Sequence, residues 1–122
     1  LRPERWQSIA AEAAEQCERL WLPVLNPPMP VAEALQAAPT AERFWATTRN
    51  PELPLLQMQL HGCSTPAVWL ACGPEGGWSP KEEASAEAQG WRPVQLGPTI
   101  LRSSTACVSG AALLSSWRAA LG

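Results

Sequence analysis

Between residues 6 and 20 the apolar positions Trp6, Ile9, Ala10, Ala13, Ala14, Cys17 and Leu20 recur at spacings of three and four, the pattern of a helix with one face turned to a core. Pro3 suits a helix start, and Glu12, Glu15, Glu18 and Arg19 fall on the other, solvated face. A short apolar run at residues 21–25 is stopped by Asn26-Pro27-Pro28, and residues 30–38 predict a small helix with Val31, Ala34 and Leu35 inward. Residues 43–48 and 55–60 predict two strands separated by a turn at Asn50-Pro51. The second, with Leu55, Leu56, Met58 and Leu60, is expected to be mostly buried and to end at His61-Gly62. Residues 105–121 predict a last helix with Cys107, Ala111, Leu114, Trp117 and Leu121 on one stripe, roughly 25 Å long.

Two further apolar runs end in glycine-bearing turns, AVWLACGPEGGWSP and PVQLGPTILRSSTA. In the first, residues 68–72 are rich in strand formers and Gly73, Pro74, Gly76 and Gly77 end the run. Ser79 as N-cap, Pro80 at the first helical position and Glu82 three residues after the cap then predict a helix to Gln89, stopped at Gly90. Strand, glycine loop and helix form the unit in which ligands sit beyond the carboxyl ends of parallel strands, and paired glycines permit φ > 0 or a close approach of backbone to ligand. A bare Gly-Gly fits an ordinary strand-to-helix turn equally well. The second turn, Gly97-Pro98 after residues 93–96, is followed by Ile100, Leu101 and Arg102 and by the cap-like cluster Ser103, Ser104 and Thr105. The two turns together read as two walls of one ligand site, and if the strands are parallel His61 shares their edge.

The common nucleotide motifs are absent. There is no GxxxxGK[ST] and no GxGxxG, and roughly 20 residues past the first loop, where a dinucleotide fold places a ribose-binding acid, stands Pro93-Val94-Gln95-Leu96. The 122 residues suffice for one domain with a modest core. With 46% hydrophobic and 16% charged residues the chain should fold. Its net charge of −2 lacks the broad basic face of a stand-alone RNA binder. Thirteen prolines, about twice the usual frequency, predict short elements joined by firm turns. No run reaches the roughly 18 apolar residues of a membrane span and none reads as a secretory signal, so a soluble, cytoplasmic protein is expected. Cys17, Cys63, Cys72 and Cys107 lack CxxC spacing and have only His61 to join them, so no metal site is expected and the thiols read as buried small residues.

GPEGGWSPKEE followed by GWRPVQLGPTILRSSTA resembles the compound signature of the knotted SPOUT methyltransferases, in particular the ribosomal RNA uridine-N3 methyltransferases of the RsmE family. RWQSIAAEAAEQCERLWLPVL is similar to a helix of that family bearing Glu-Gln-x-x-Arg, here Glu15, Gln16 and Arg19. The resemblance covers almost the whole chain. It implies an α/β fold, a SPOUT-type parallel sheet flanked by helices with a C-terminal trefoil knot, and a homodimer in which Gln16 and Arg19 brace the fold or line the contact. Members of that family also carry an N-terminal PUA-like RNA-binding barrel and a first strand and helix of the methyltransferase domain, neither of which the resemblance finds in these residues, so residues 1–122 are expected to be a partial SPOUT methyltransferase domain.

The resemblance also implies S-adenosylmethionine as cofactor and small-subunit ribosomal RNA, free or in the assembled subunit, as partner. An adenine needs an apolar slot and backbone hydrogen-bonding partners. Leu60, Leu70, Leu96, Ile100 and Leu101 with Gly73, Gly76, Gly77 and Gly97 could supply them, and the same site is expected to include His61 and Ala106. Glu75 either faces the sulfonium or accepts hydrogen bonds from N–H groups of its own loop. Attack by a uridine N3 requires loss of the imide proton, so an anion-stabilising cation helps; Arg102 is the candidate, for the uridine anion or a backbone phosphate, with bonding to nearby carbonyls as its structural alternative. The chain departs from the family pattern at Thr99, where an arginine is usual, and at Ser104, where a glutamate is usual. A non-catalytic cofactor- or RNA-binding module on the same scaffold is the alternative these changes leave open, and a small α/β domain with purely structural turns is a third.

Overall fold

The computed structural model describes residues 3–16, 24–38, 42–47, 50, 52–63, 67–74, 76–97 and 103–121. The chain divides into two compact units, Leu1–Pro30 and Val31–Gly122. In the first, α1 spans Pro3–Gln16, beginning at the proline that suits a helix start. Gln7 Nε2 donates to Leu25 O at 3.4 Å. The face expected to pack is open, with Trp6 and Ile9 exposed. Cys17, Glu18, Arg19 and Leu20 lie outside the described residues.

The second unit is α/β. Its elements are α2 (Val31–Ala37), β1 (Glu42–Ala46), α3 (Leu56–His61), β2 (Val68–Cys72), α4 (Pro80–Ala88), β3 (Arg92–Val94) and α5 (Ser103–Ala120). The three strands form one parallel sheet in the order β2-β1-β3. β1 lies in the centre, and Phe44, Trp45 and Ala46 are all buried, as expected of a parallel strand covered on both faces. Strand alternation sends Trp45 to one face, with Leu35, Ala38, Ala86 and Trp91, and Phe44 to the other, with Leu56, Leu60, Cys63 and Val94. On the second face Val68, Leu70, Leu96, Leu113, Leu114 and Trp117 complete the packing.

Several expectations are corrected. Residues 55–60 are not a strand: only Leu55 pairs, as an isolated parallel bridge to Gln95, and Leu56 opens α3. Leucine and glutamine favour helix over strand, and in LLQMQL the helical spacing that buries Leu56 and Leu60 while leaving Met58 exposed prevails over the alternation. In α2 only Leu35 turns inward; Val31 and Ala34 are exposed. The buried stripe of α5 is offset from the expected one, running through Ala106, Gly110, Leu113, Leu114 and Trp117, while Cys107, Ala111 and Leu121 are exposed. Glycine and alanine carry too little hydropathy to mark the inner face of a helix, yet they are where it comes closest to the sheet.

Candidate functional site

Parallel register aligns the carboxyl ends of the strands. Ala46 pairs with Cys72 on one side and with Val94 on the other. The first glycine turn therefore leaves the sheet at Gly73 and the second at Gln95-Leu96-Gly97, on either side of the end of β1. Two strand spacings separate them, about 10 Å. Residues expected to form two walls are thus brought to one edge.

The first turn is built by specific contacts. Ser79 Oγ accepts from Glu82 N at 3.1 Å and Glu82 Oε1 accepts from Ser79 N at 2.8 Å, a complete capping box with Pro80 in the first turn. At the other end of α4, Gly90 has φ 84°. Gly90 N donates to Glu87 O and Trp91 N to Ala86 O, both at 3.0 Å, which is the Schellman closure that favours glycine. Arg43 Nη2 donates to Gln89 O at 2.6 Å, adding positive charge at the same helix end.

Each glycine of the first turn has a separate reason. Gly73 is there for packing: an added Cβ would lie 2.9 Å from Trp78 Nε1. That indole bends back over the turn, donates to Ala46 O at 2.8 Å and meets the Trp45 ring edge-on at 5.8 Å. Gly77 has φ 80° and closes the turn through Gly77 N to Pro74 O at 2.9 Å. Gly76 has neither constraint among the described residues, where a Cβ would meet no heavy atom within 4 Å. Gly97 in the second turn is equally open. Among the described residues, nothing crowds the backbone of either turn at Gly76 or Gly97.

The second turn is anchored by the start of the α3 connection. Gln95 N donates to Pro54 O at 3.0 Å, Leu56 N to Gln95 O at 2.9 Å and Gln95 Nε2 to Leu53 O at 2.5 Å. Thr47 N extends the ladder to Val94 O at 3.0 Å. The role of Gln95 and residues 53–56 in holding this turn was invisible in a segment read as a strand.

Of the expected site residues, Leu70, Gly73, Gly76, Gly77, Leu96 and Gly97 lie at or near this edge. Ala106 is buried in the first turns of α5. Leu60 is 2% exposed in the core cluster, so it supports the sheet from within. His61 is at the opposite edge. Because α3 starts beside Gln95 and runs back along the sheet, its end lies near the amino ends of the strands, where Arg92 Nη1 donates to Gln59 Oε1 at 3.5 Å. There Arg92 also pairs with Glu42 and lies 4.7 Å above the Phe44 ring. The strand expected at residues 55–60 would have put His61 with the turns; the helix reverses that. Glu75, Thr99, Ile100, Leu101 and Arg102 lie outside the described residues, as does the side chain of Ser104.

A cleft of about 280 Å³ opens on the α4 face of the same edge, lined by Trp45, Thr47, Asn50, Leu53, Glu83, Glu87 and Pro93. It is distinct from the space at Gly76 and Gly97, and its two carboxylates disfavour phosphate. Among the described residues no group of three or more His, Cys, Asp or Glu could hold a metal, and no helix is long and apolar enough to cross a membrane. The thiols are not uniformly buried as expected: Cys63 is buried, Cys72 half-buried and Cys107 exposed.

Residues 1–115 match the family described as RNA methyltransferase domain. The chain belongs to this family. It is 43% identical over 105 residues to the Ribosomal RNA small subunit methyltransferase E of Synechocystis sp., covering 84% of this chain and 35% of that protein. The crystal structure of the Neisseria gonorrhoeae Ribosomal RNA small subunit methyltransferase E bound to S-adenosyl methionine is similar at a TM-score of 0.79 and 31% identity, over 93% of this chain and 47% of that one. A Legionella pneumophila structure in complex with the bound cofactor SAM has the same TM-score at 29% identity, over 96% and 46%. The chain thus spans about a third to a half of the length of these relatives. Family membership agrees with the expectation from the two turns and the α1 motif, and the parallel sheet flanked by helices agrees with the fold.

Proposed function

We propose that this chain is the catalytic part of an S-adenosylmethionine-dependent methyltransferase that modifies N3 of a uridine in small-subunit ribosomal RNA. The observation that carries the reading is the pair of glycine turns on either side of β1, each with open space at a glycine, Gly76 and Gly97. These residues fit the cofactor: apolar Leu70 and Leu96 lie beside free backbone, a combination suited to an adenine. The relatives that bind this cofactor or are named for this RNA support the assignment; the uridine N3 position rests on the motif resemblance. In this reading the fold carries a C-terminal trefoil knot, the active species is a cytoplasmic homodimer, and an additional RNA-binding domain belongs to the whole protein.

The bound cofactor supplies a methyl group on a sulfonium. The chain's contribution is alignment and exclusion of water. Gly76, Gly77 and Gly97 give backbone access, Ile100 and Leu101 with Leu70 and Leu96 enclose the base, and Ala106 leaves room at the start of α5. Glu75 accepts hydrogen bonds from its own loop and so holds the loop's shape. Arg102 stabilises the uridine anion formed when the N3 proton leaves.

The test has two arms. Calorimetric titration of the chain with S-adenosylmethionine and S-adenosylhomocysteine should show one saturable site. The whole protein should transfer labelled methyl to small ribosomal subunits, at a uridine N3 located by nuclease digestion and mass spectrometry, and lose turnover in Arg102→Ala with cofactor affinity kept. Binding without transfer would replace the enzyme by the non-catalytic module that Thr99 and Ser104 leave open; no binding by the whole protein would refute both.

A further inference from the structure

Cys72 and Cys107 are free thiols on two elements that pack together, β2 and α5. Leu70 and Cys72 share the strand face that Val68 and Leu70 turn to the α5 side of the core. Gly110 brings α5 so close to that face that a Cβ on it would overlap Leu70 Cδ2. One helical turn back from Gly110 is Cys107, and two residues on from Leu70 is Cys72. The close approach at the glycine thus places the two thiols at neighbouring positions where β2 and α5 pack. Cys107 is open to solvent and Cys72 is half-buried behind it. Cys63 is set apart, buried with its thiol donating to Gln59 O at 3.4 Å.

We propose that Cys72 and Cys107 form a reversible disulfide on exposure to hydrogen peroxide, fastening the first turns of α5 to the end of β2. Cys107, the accessible thiol, attacks as thiolate. Its sulfur bonds one peroxide oxygen, the O–O bond breaks, the other oxygen leaves as hydroxide and takes up a proton as water, and Cys107 becomes a sulfenic acid. Cys72 then gives up its proton and its sulfur displaces hydroxide from the Cys107 sulfur; the S–S bond forms, the S–O bond breaks and a second water leaves. Two thiols and one peroxide yield one disulfide and two waters, the sulfurs losing the two electrons that peroxide gains.

The environment suits this order. Burial first and Cys107 second push the Cys72 thiol up to about 12, so Cys72 is a poor first nucleophile. Conversion of Cys107 to an uncharged sulfenic acid removes the second of these influences. A disulfide draws the sulfurs to about 2.05 Å, closer than two unbonded sulfurs can approach. The shift falls on the residue before Gly73, at the root of the first turn, and on the helix that follows the second. Oxidation therefore alters the two turns together and lowers affinity for the ligand between them, a consequence that rests on the cofactor reading above.

The chain is treated with one equivalent of hydrogen peroxide, alkylated under denaturing conditions and analysed by intact mass and peptide mapping. A Cys72–Cys107 crosslink with loss of two hydrogens, reversed by dithiothreitol and absent in Cys107→Ser, is expected; Cys107→Ser alters an exposed side chain and its fold is checked by melting. Four alkylated thiols after treatment, a crosslink to another cysteine, or Cys107 halted as a sulfenic or sulfinic acid would overturn the proposal. S-adenosylhomocysteine should bind the oxidised form at least about fivefold more weakly than the reduced form, the lower end of typical coupling. Crosslinking with unchanged affinity would refute the coupling while leaving the disulfide. If the reduced chain and the whole protein also bind none, the cofactor reading fails and the crosslink result still stands.

Discussion

Replacing Gly76 by alanine separates ligand approach from folding. Among the described residues a Cβ at Gly76 meets nothing within 4 Å, and Gly76 is not among the glycines at positive φ. The added methyl should therefore leave the fold intact and, by restricting the unfolded chain, stabilise it by about 0.4–1 kcal/mol. A domain of this size should melt a few degrees higher. The neighbouring glycines behave differently. Gly73→Ala forces a Cβ to 2.9 Å from Trp78 Nε1, and Gly77→Ala places alanine at φ 80°, a cost of about 1–2 kcal/mol. If the space over Gly76 holds the adenosyl ligand, the methyl takes volume the ligand needs. A loss of about 1.4 kcal/mol or more, tenfold in Kd, is expected by calorimetry with S-adenosylhomocysteine, alongside an unchanged or raised melting temperature. Gly97→Ala should repeat the result across the site. Wild-type affinity in both folded variants would refute the reasoning and leave the glycine turns as structural connections.

Gly110→Ala should destabilise the chain by about 1–3 kcal/mol through overpacking against Leu70, and chemical denaturation of Gly110→Ala with Leu70→Ala should show recovery relative to the sum of the single changes. Trp78→Phe keeps the ring but leaves Ala46 O without its indole donor; a loss of about 1–3 kcal/mol is expected from denaturant midpoints. The raised Cys72 pKa means that the folded state holds a proton the unfolded chain releases above pH about 9. Its contribution to stability is complete below that pH and declines as pH rises toward about 12, so reduced wild-type protein should lose melting temperature with alkali more steeply than Cys72→Ala.

What the sequence made legible was local. The capping box at Ser79 and Glu82, the stop at Gly90 and the strand at Val68–Cys72 each rest on side chains acting within a few residues, and each is present. The position of His61 failed because LLQMQL satisfies both an alternating and a helical pattern, and the choice is made by burial of Leu56 and Leu60 against β1 and β3, which a linear reading lacks. The inner stripe of α5 is legible at Leu114 and Trp117, which pack against the core, but not at its start, where Gly110 is on the packed face for its small size and hydropathy points to Cys107 and Ala111. At Gly73 the bare backbone also has a partner the linear pattern does not display, Trp78, five residues on.

Among the described strands, the central one precedes in sequence both of the strands it pairs with. β1 ends at Ala46, but the segments that hydrogen-bond to its two sides begin at Val68 and Arg92. During synthesis at typical rates, β1 waits about 2–9 s for its second neighbour. Through that interval Phe44 and Trp45 have only part of their eventual cover, and both backbone edges start as free templates for another strand. Nascent chains stalled between residues 46 and 92 are therefore the species most in need of a chaperone, and the last short strand, Arg92–Val94, completes the protection along with the second turn.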